Sequence, residues 1–593
     1  MTVLAHREGR SVETAKRTWK EVLGGPQRRN VAALVILVVL LIGFVVDGWA
    51  QIVENWNAYK TDQSAYMRLA LRIREGVELT DGNRNPLYPA ILALFAQREW
   101  SFFTAAKLLN LVIATLTLLA VYWAVKRISS VHAALFTVFL LSETDCFLES
   151  ASKTIVEPLL TLIVFATWFL LWKGRGTIRW WGLAGVGAGL AYLAKGTGSI
   201  LPIAFVLASV LIYGKGVFRQ RAVWAFLGGY AALAAVLWVN NTLVYGNPFY
   251  SIHTAHRLWL DQWQEKYVSD SSQLPTAISY LQTHGLALVA QRLLEGLVAV
   301  WSPMKEAWFP LQNFLVPICL TVALTVLVAK VSLAFRKRQN RPDSFSWRQA
   351  VGYLRTCREG IVFTGVLLIL WYLFFAWYIP VSDSPRFHLP LSPVIQCGLA
   401  SALVLGVRAV LDDLPWPKGH VRAALVNLGY VALAVMAIAA TSDQVISYID
   451  DEKLQDPFRS DREYNADGDA VLEWLIAQED ELPVRVLYGP SKSLAGLWRY
   501  VEDVSHKSIA SDLESWDDLA DLLEEDQVSW AIVDYEMVDL RPELLGDYFS
   551  LDGKKVSLKQ PPPGWVLIHE VETIYGHWFI FEISHDGGTA SSQ

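Results

Sequence analysis

The chain has 593 residues, 53% of them hydrophobic and only 18% charged, with a mean hydropathy of +0.30. A soluble chain carries roughly 25% charged residues, so a purely soluble, disordered or fibrous protein is excluded. The net charge of −6 hides a division: residues 450–593 hold 11 Lys and Arg against 32 Asp and Glu, a net of −21, which leaves +15 for the rest.

A greasy, basic part followed by a polar, acidic one reads as a membrane domain and then a soluble domain. Three regions are expected: a basic N-terminal segment 1–30, a membrane domain 31–444 and an acidic domain 445–593. No cleavable signal peptide is apparent, because the first apolar run begins only at Val31 and is long enough to span. Apolar runs follow at 31–50, 102–124, 131–146, 156–172, 180–194, 199–213, 222–243, 311–333, 360–380, 387–410 and 423–441. These predict about 11 spans; 131–146 and 180–194 are short and leave room for tilted or partial ones.

Basic groups at Arg7–Arg29, Lys126–Arg127, Lys173–Arg179, Lys215–Arg221, Arg336–Arg358 and Arg408–Arg422 fall on one side if the spans alternate. The positive-inside rule makes that side cytoplasmic. The expected protein is multi-pass in the plasma (inner) membrane, with a cytoplasmic N-terminus and an exported acidic domain. Tryptophans at span ends (Trp123, Trp172, Trp180, Trp181, Trp301, Trp308) fit an aromatic belt. The cysteines, Cys146, Cys319, Cys357 and Cys397, lack metal-site spacing and read as small apolar residues.

The outer face is then built from 51–101, short turns at 146–156, 195–198 and 380–387, the long segment 244–310 and the acidic domain. In 51–101 a helix lying on the membrane surface is expected around Tyr66–Ile73. Asp62 stands at its start, where a carboxylate suits an N-cap. The third-to-fourth span turn is acidic: Glu143, Asp145 and Glu149, then Lys153 and Glu157-Pro158 at the opening of a span. In 244–310, His253/His256 and Trp259/Trp263 suit one helix face, either an interfacial helix or a lid.

In the acidic domain, Asp469–Ala477 and Leu513–Leu523 have helical periodicity, while Pro483–Tyr488, Ser529–Tyr535, Trp565–Val571 and Trp578–Ile583 read as strands. That pattern predicts a small α/β layer with a turn at Pro561–Gly564. It contains no nucleotide loop, zinc spacing or nucleophile elbow.

Several outer motifs together resemble the C-type (GT-C) membrane glycosyltransferases. Asp62 is followed four residues on by Tyr66 and an interfacial helix, then by Arg84-Asn-Pro-Leu-Tyr88-Pro. Gly189-Leu-Ala-Tyr-Leu-Ala-Lys195-Gly, Tyr245-Gly-Asn-Pro-Phe249 and Arg386-Phe-His388-Leu-Pro-Leu-Ser-Pro393 come in the family's order. The resemblance covers about residues 31–410. It is to the bacterial and archaeal relatives of the protein O-mannosyltransferases and of the lipid A aminoarabinose transferase.

The resemblance implies an enzyme that moves a sugar from a polyprenyl-phosphate carrier to a protein, glycolipid or lipid-linked glycan outside the cytoplasm. Its partners are the lipid donor and the bilayer, with no nucleic acid. It makes Asp62 the general base of an inverting transfer. Arg84, Lys195 and Arg386, at outer span ends, would neutralise the lipid phosphate; the alternative for each is snorkelling to the interface. Tyr66, Tyr88, Glu157 and His388 are candidate substrate contacts. Glu143 and Asp145 are similar to an acidic pair that holds a divalent metal in related oligosaccharyltransferases, and hard oxygen ligands suit Mg²⁺ or Mn²⁺. The competing reading is a transporter or flippase of lipid-linked sugars, which should show inverted repeats and broken midplane helices; no internal repeat is evident.

Overall fold

The computed structural model describes residues 26–55, 58, 62–174, 176–262, 274–309 and 357–413 of the helical body. In the C-terminal part it describes 471, 474, 484–488, 504–508, 513, 515–525, 527–553, 555–572 and 577–584. The expected spans 311–333 and 423–441, the segment 1–25 and the basic loop 334–356 lie outside the described residues.

The body runs α1 Pro26–Glu54, α2 Gln63–Glu75, α3 Leu87–Ala93, α4 Trp100–Ile128, α5 Val131–Ser142, α6 Asp145–Ala151, α7 Glu157–Gly174 and α8 Ile178–Ala194. It continues with α9 Ile200–Tyr213, α10 Arg221–Tyr245, α11 Ile252–Ala255, α12 Ala277–Ala299, α13 Trp301–Trp308, α14 Arg358–Tyr378 and α15 Ser392–Asp413. The long helices are apolar on both faces. In α1, Ile36, Leu37, Leu40 and Phe44 are buried, while Val31, Leu34, Val35 and Ile42 are exposed. A helix in water would be polar on that second face; here lipid covers it.

Among the described residues, eight helices are long and apolar enough to cross a membrane. The chain is thus a polytopic helical membrane protein with a C-terminal α/β part.

Two spans depart from the sequence expectation. The run 131–146 is two helices, α5 and α6, meeting at 70°. The chain leaves the helix after Ser142 and Thr144 is extended (φ −86°, ψ 106°). The polar Glu143-Thr144-Asp145 stretch makes that break. Within the expected outer segment 244–310, Ala277–Trp308 is itself long and apolar enough to be a candidate span, bent where Gly285 takes φ 68°.

Helix α8, at 17 residues, packs against α10 at backbone contact. A Cβ on Gly185 would lie 2.0 Å from the Phe226 carbonyl oxygen. That close approach fixes the distance between α8 and α10, and Lys195 is the C-cap of α8.

The C-terminal part has its own core, with Leu519, Leu522, Val533, Phe549, Phe579 and Phe581 buried. Its strands are β1 Val484–Tyr488, β2 Val504–Ser508, β3 Trp530–Val533, β4 Phe549–Asp552, β5 Lys555–Leu558, β6 Trp565–Glu572 and β7 His577–Ile583. Five form one sheet in the order β2-β1-β3-β7-β6; β1 runs parallel to β2 and β3, and β7 antiparallel to β3 and β6. Strands β4 and β5 make a separate antiparallel pair. Helix α16, Trp516–Glu525, buries Leu519, Leu522 and Leu523. Strand β2 escaped the sequence reading because Val-Ser-His-Lys-Ser has no apolar alternation; it is an edge strand held by backbone pairing with β1.

Candidate active site

Asp62 stands at the N-terminus of α2, yet its side chain makes no cap hydrogen bond. The N-cap position is right and the N-cap role is not. Its two oxygens are instead taken by cations from distant segments. Arg84 Nη2 donates to Oδ1 at 2.7 Å and Arg386 Nη2 to Oδ2 at 3.0 Å. About two-fifths of the side chain (39%) stays open to solvent, so a substrate can reach it. Partial burial acts to raise the Asp62 carboxyl, but Arg84 and Arg386 outweigh it and hold it below the usual carboxylate range.

Each partner is held by local chemistry. Asp81 accepts the backbone N–H groups of Asn83 and Arg84 at 2.9 and 2.6 Å and the Arg84 Nη1 at 2.7 Å, so a tight turn aims the guanidinium. Gly82 in that turn takes φ 73°, which favours glycine. The Tyr245–Phe249 motif buttresses the turn. Ile252 N–H donates to the Gly82 carbonyl at 2.9 Å, and the Tyr245 ring stacks on Tyr250 beside it.

Lys195 follows the last turn of α8. Its Nζ donates to Glu157 Oε1 at 2.7 Å. Glu157 opens α7 with its side chain only 3% exposed, and Arg386 Nε lies 3.9 Å from the same oxygen. Both cations lie near the Phe387 ring, Lys195 Nζ at 4.5 Å and the Arg386 guanidinium at 5.0 Å from its centroid. Arg386 comes from a short 3₁₀ turn, Pro385–Leu391, leading into α15. The Asn85 amide donates to the Tyr192 carbonyl and so ties the Arg84 loop to the Lys195 turn.

Asp62, Arg84, Glu157, Lys195 and Arg386 therefore form one cluster: three cations around two carboxylates. Tyr66 lines it, 5.6 Å from the Arg84 guanidinium and edge-on to buried Tyr88. His388 lies elsewhere, its ring packed against Phe375 and its carbonyl accepting from Trp308 Nε1 at 3.0 Å. Glu143 and Asp145 sit at the α5–α6 bend. Among the described residues no three His, Cys, Asp or Glu side chains lie together as a ready-made metal cage.

Residues that spacing did not single out complete the site. Asp81 was visible as an Asp-Gly-Asn turn. Arg257, from the turn after α11, reaches Asn83 Oδ1 at 3.3 Å and feels Arg84, Asp62 and Asp81. His253 lies in the same field, which with burial lowers it to about 3. His253 and His256 do not share a long helix, because α11 ends at Ala255 and His256 is non-helical; Trp263 lies outside the described residues.

Residues 83–239 match the family model of the dolichyl-phosphate-mannose-protein mannosyltransferases, and that stretch carries Arg84, Tyr88, Glu157 and Lys195. Among solved structures, ArnT from Cupriavidus metallidurans bound to undecaprenyl phosphate aligns over 94% of this chain and 98% of its own, at 13% identity and a TM-score of 0.45. The oligosaccharyltransferase AglB from Archaeoglobus fulgidus, in complex with an inhibitory peptide and a dolichol-phosphate, aligns over 86% and 70%, at 15% identity and a TM-score of 0.40. No curated protein matches the chain in sequence.

Proposed function

We propose that the protein transfers a sugar from a polyprenyl-phosphate carrier to an acceptor hydroxyl at the outer face of the plasma membrane. The observation that carries this is the solvent-open Asp62 carboxylate, held between Arg84 and Arg386 with Lys195 beside them. The match to a family named for a lipid-phosphate sugar donor supports it.

The donor phosphate enters among Arg84, Lys195 and Arg386, which bind it by charge-assisted hydrogen bonds. It competes with Asp62 for the two guanidiniums. As they turn toward phosphate, Asp62 loses the partners that suppress its basicity. The acceptor O–H then gives its proton to Asp62 while its oxygen bonds to the anomeric carbon from the face opposite the phosphate. The bond from that carbon to the phosphate oxygen breaks, and its electron pair leaves with the polyprenyl phosphate. Lys195 and Arg386 stabilise that leaving charge. Glu157 holds Lys195 in place, and no step passes through Glu143 or Asp145.

On this reading the N-terminus stays cytoplasmic, so that the loop after the first span, which carries Asp62, faces outside. The charged groups of this cluster sit at helix ends and in the turns between helices, which favours transfer over a transporter's site at broken midplane helices.

The test is to incubate membranes with labelled polyprenyl-phosphate sugars and identify the labelled product. Wild type should label an acceptor. Asp62→Asn should insert and fold but lose transfer by on the order of 10²–10⁴-fold, the usual worth of a positioned base. Full activity of that variant would remove the base assignment.

A further inference from the structure

Buried side chains bind the backbone at the end of α1 and in the stretch 152–156 that leads to Glu157. Lys107 Nζ donates to the carbonyls of Ile52 and Asn55, both at 2.9 Å. Asn55 and Gln63 exchange a reciprocal amide pair at 2.9 and 3.1 Å. Asn55 also donates to the Ser152 carbonyl at 3.0 Å, and Gln63 Oε1 accepts the Thr154 N–H at 2.9 Å. Asn110 donates to the carbonyls of Lys153 and Ile155. Gln63, Lys107, Asn110 and Thr154 are fully buried.

Gln63 is the joint of this network. It adjoins Asp62 on one side and grips the strand of chain leading to Glu157 on the other. Unpaired buried backbone groups are costly, so this network resists separation of Asn55 and Gln63 from the stretch 152–154. A Gln can do this because its amide both donates and accepts. No other side chain among the described residues bonds both stretches while sitting next to Asp62.

We propose that Gln63 is a positioning residue for the transfer: it sets the separation between Asp62 and the Glu157–Lys195 pair that receives the leaving phosphate. This rests on the glycosyl-transfer reading above. Misplacing reacting groups by about 1 Å from a distance can slow a reaction on the order of 10²-fold.

The test uses the full-length protein in proteoliposomes with a labelled polyprenyl-phosphate sugar, and undecaprenyl phosphate as the binding probe. Gln63→Met keeps length and loses the amide. Its kcat should fall on the order of 10²-fold, with undecaprenyl phosphate affinity and donor KM unchanged. Gln63→Glu, which keeps both accepted hydrogen bonds, should recover much of the rate. In an Asp62→Asn background, Gln63→Met should cause no further loss of residual transfer, as expected when one residue acts through another. Should Gln63→Met not fold, Gln63→Asn, one methylene shorter, carries the same expectations.

A wild-type kcat in the Gln63 variant, or an equal loss in the Asp62→Asn background, overturns the proposal. If Asp62→Asn alone is fully active, the function reading has failed instead, whatever Gln63 does.

Discussion

Arg386 and Asp62 lie 324 positions apart in the chain, and their side chains meet at 3.0 Å. One guanidinium therefore joins the start of the last described candidate span to the N-terminus of α2. The same guanidinium approaches Glu157 at 3.9 Å, so it touches both carboxylates of the site.

Arg386→Lys tests whether that fork matters. Lysine keeps the charge but loses the planar donors that reach two carboxylates at once. Hydrogen bonds to charged groups are worth about 1.5–3 kcal/mol, so undecaprenyl phosphate should bind about tenfold to a hundredfold more weakly. A fluorescence titration of the reconstituted variant reads this directly, and unchanged affinity would count against a role in phosphate binding.

Lys195 and Glu157 should behave as a coupled pair. Lys195→Met alone removes the closest partner of a buried carboxylate, which costs about 3–5 kcal/mol when no other group takes over; Arg386 at 3.9 Å should soften that loss. Adding Glu157→Gln should restore most of the thermal stability without restoring donor binding. Thermal midpoints in detergent and donor KM separate the two effects.

The pH behaviour follows from the site's charges. The folded Asp62 carboxyl lies below the unfolded value of about 3.9. Its contribution to stability is present above about pH 4 and is lost only as pH falls through the lower folded value. The profile of kcat/KM, which reports the free enzyme, should show no Asp62 limb from about pH 5 upward. His253 is shifted in the same sense, in a window at higher pH. Burial first, then Arg257 and Lys195, lower it to about 3, below its unfolded value of about 6.5. The unfolded chain then binds more protons between those values, so stability rises with pH across that window. His253→Gln should flatten the rise in thermal midpoint between about pH 4.5 and 7.

Gly198 supports the Lys195 turn. A Cβ there would fall 2.3 Å from the Ala191 carbonyl carbon and oxygen. That clash is with backbone and cannot be relieved by a side-chain rotation. Gly198→Ala should lower the thermal midpoint and raise donor KM together, whereas Gly196→Ala, where nothing lies within 4 Å, should do neither.

Much of the site was legible in the sequence because charged residues beside apolar runs are costly and stand out. Lys195, Arg386 and Glu157 stood out that way, whereas the roles of Asp62 and Arg84 came only from the motifs that resemble the GT-C enzymes. Individual roles were less legible. Asp62 fitted an N-cap until its side chain was seen turned toward two arginines. His388 sits beside Arg386 in sequence but faces aromatic rings, because a 3₁₀ turn points neighbouring side chains in different directions. Gln63, Asn55 and Lys107 carried no spacing signal, since side chain-to-backbone hydrogen bonds between loops follow no period.

By itself the sequence determined the medium and the materials: hydropathy dictates helices in lipid, and the acidic tail a separate α/β layer. Those properties depend on local composition and period. Only the tertiary structure decided that one carboxylate meets cations from residues 84 and 386, that a buried glutamate takes Lys195, and that the run 131–146 bends by 70°. These depend on which helix ends meet, and that is set by close packing such as α8 against α10, a property of pairs of helices that neither member shows alone.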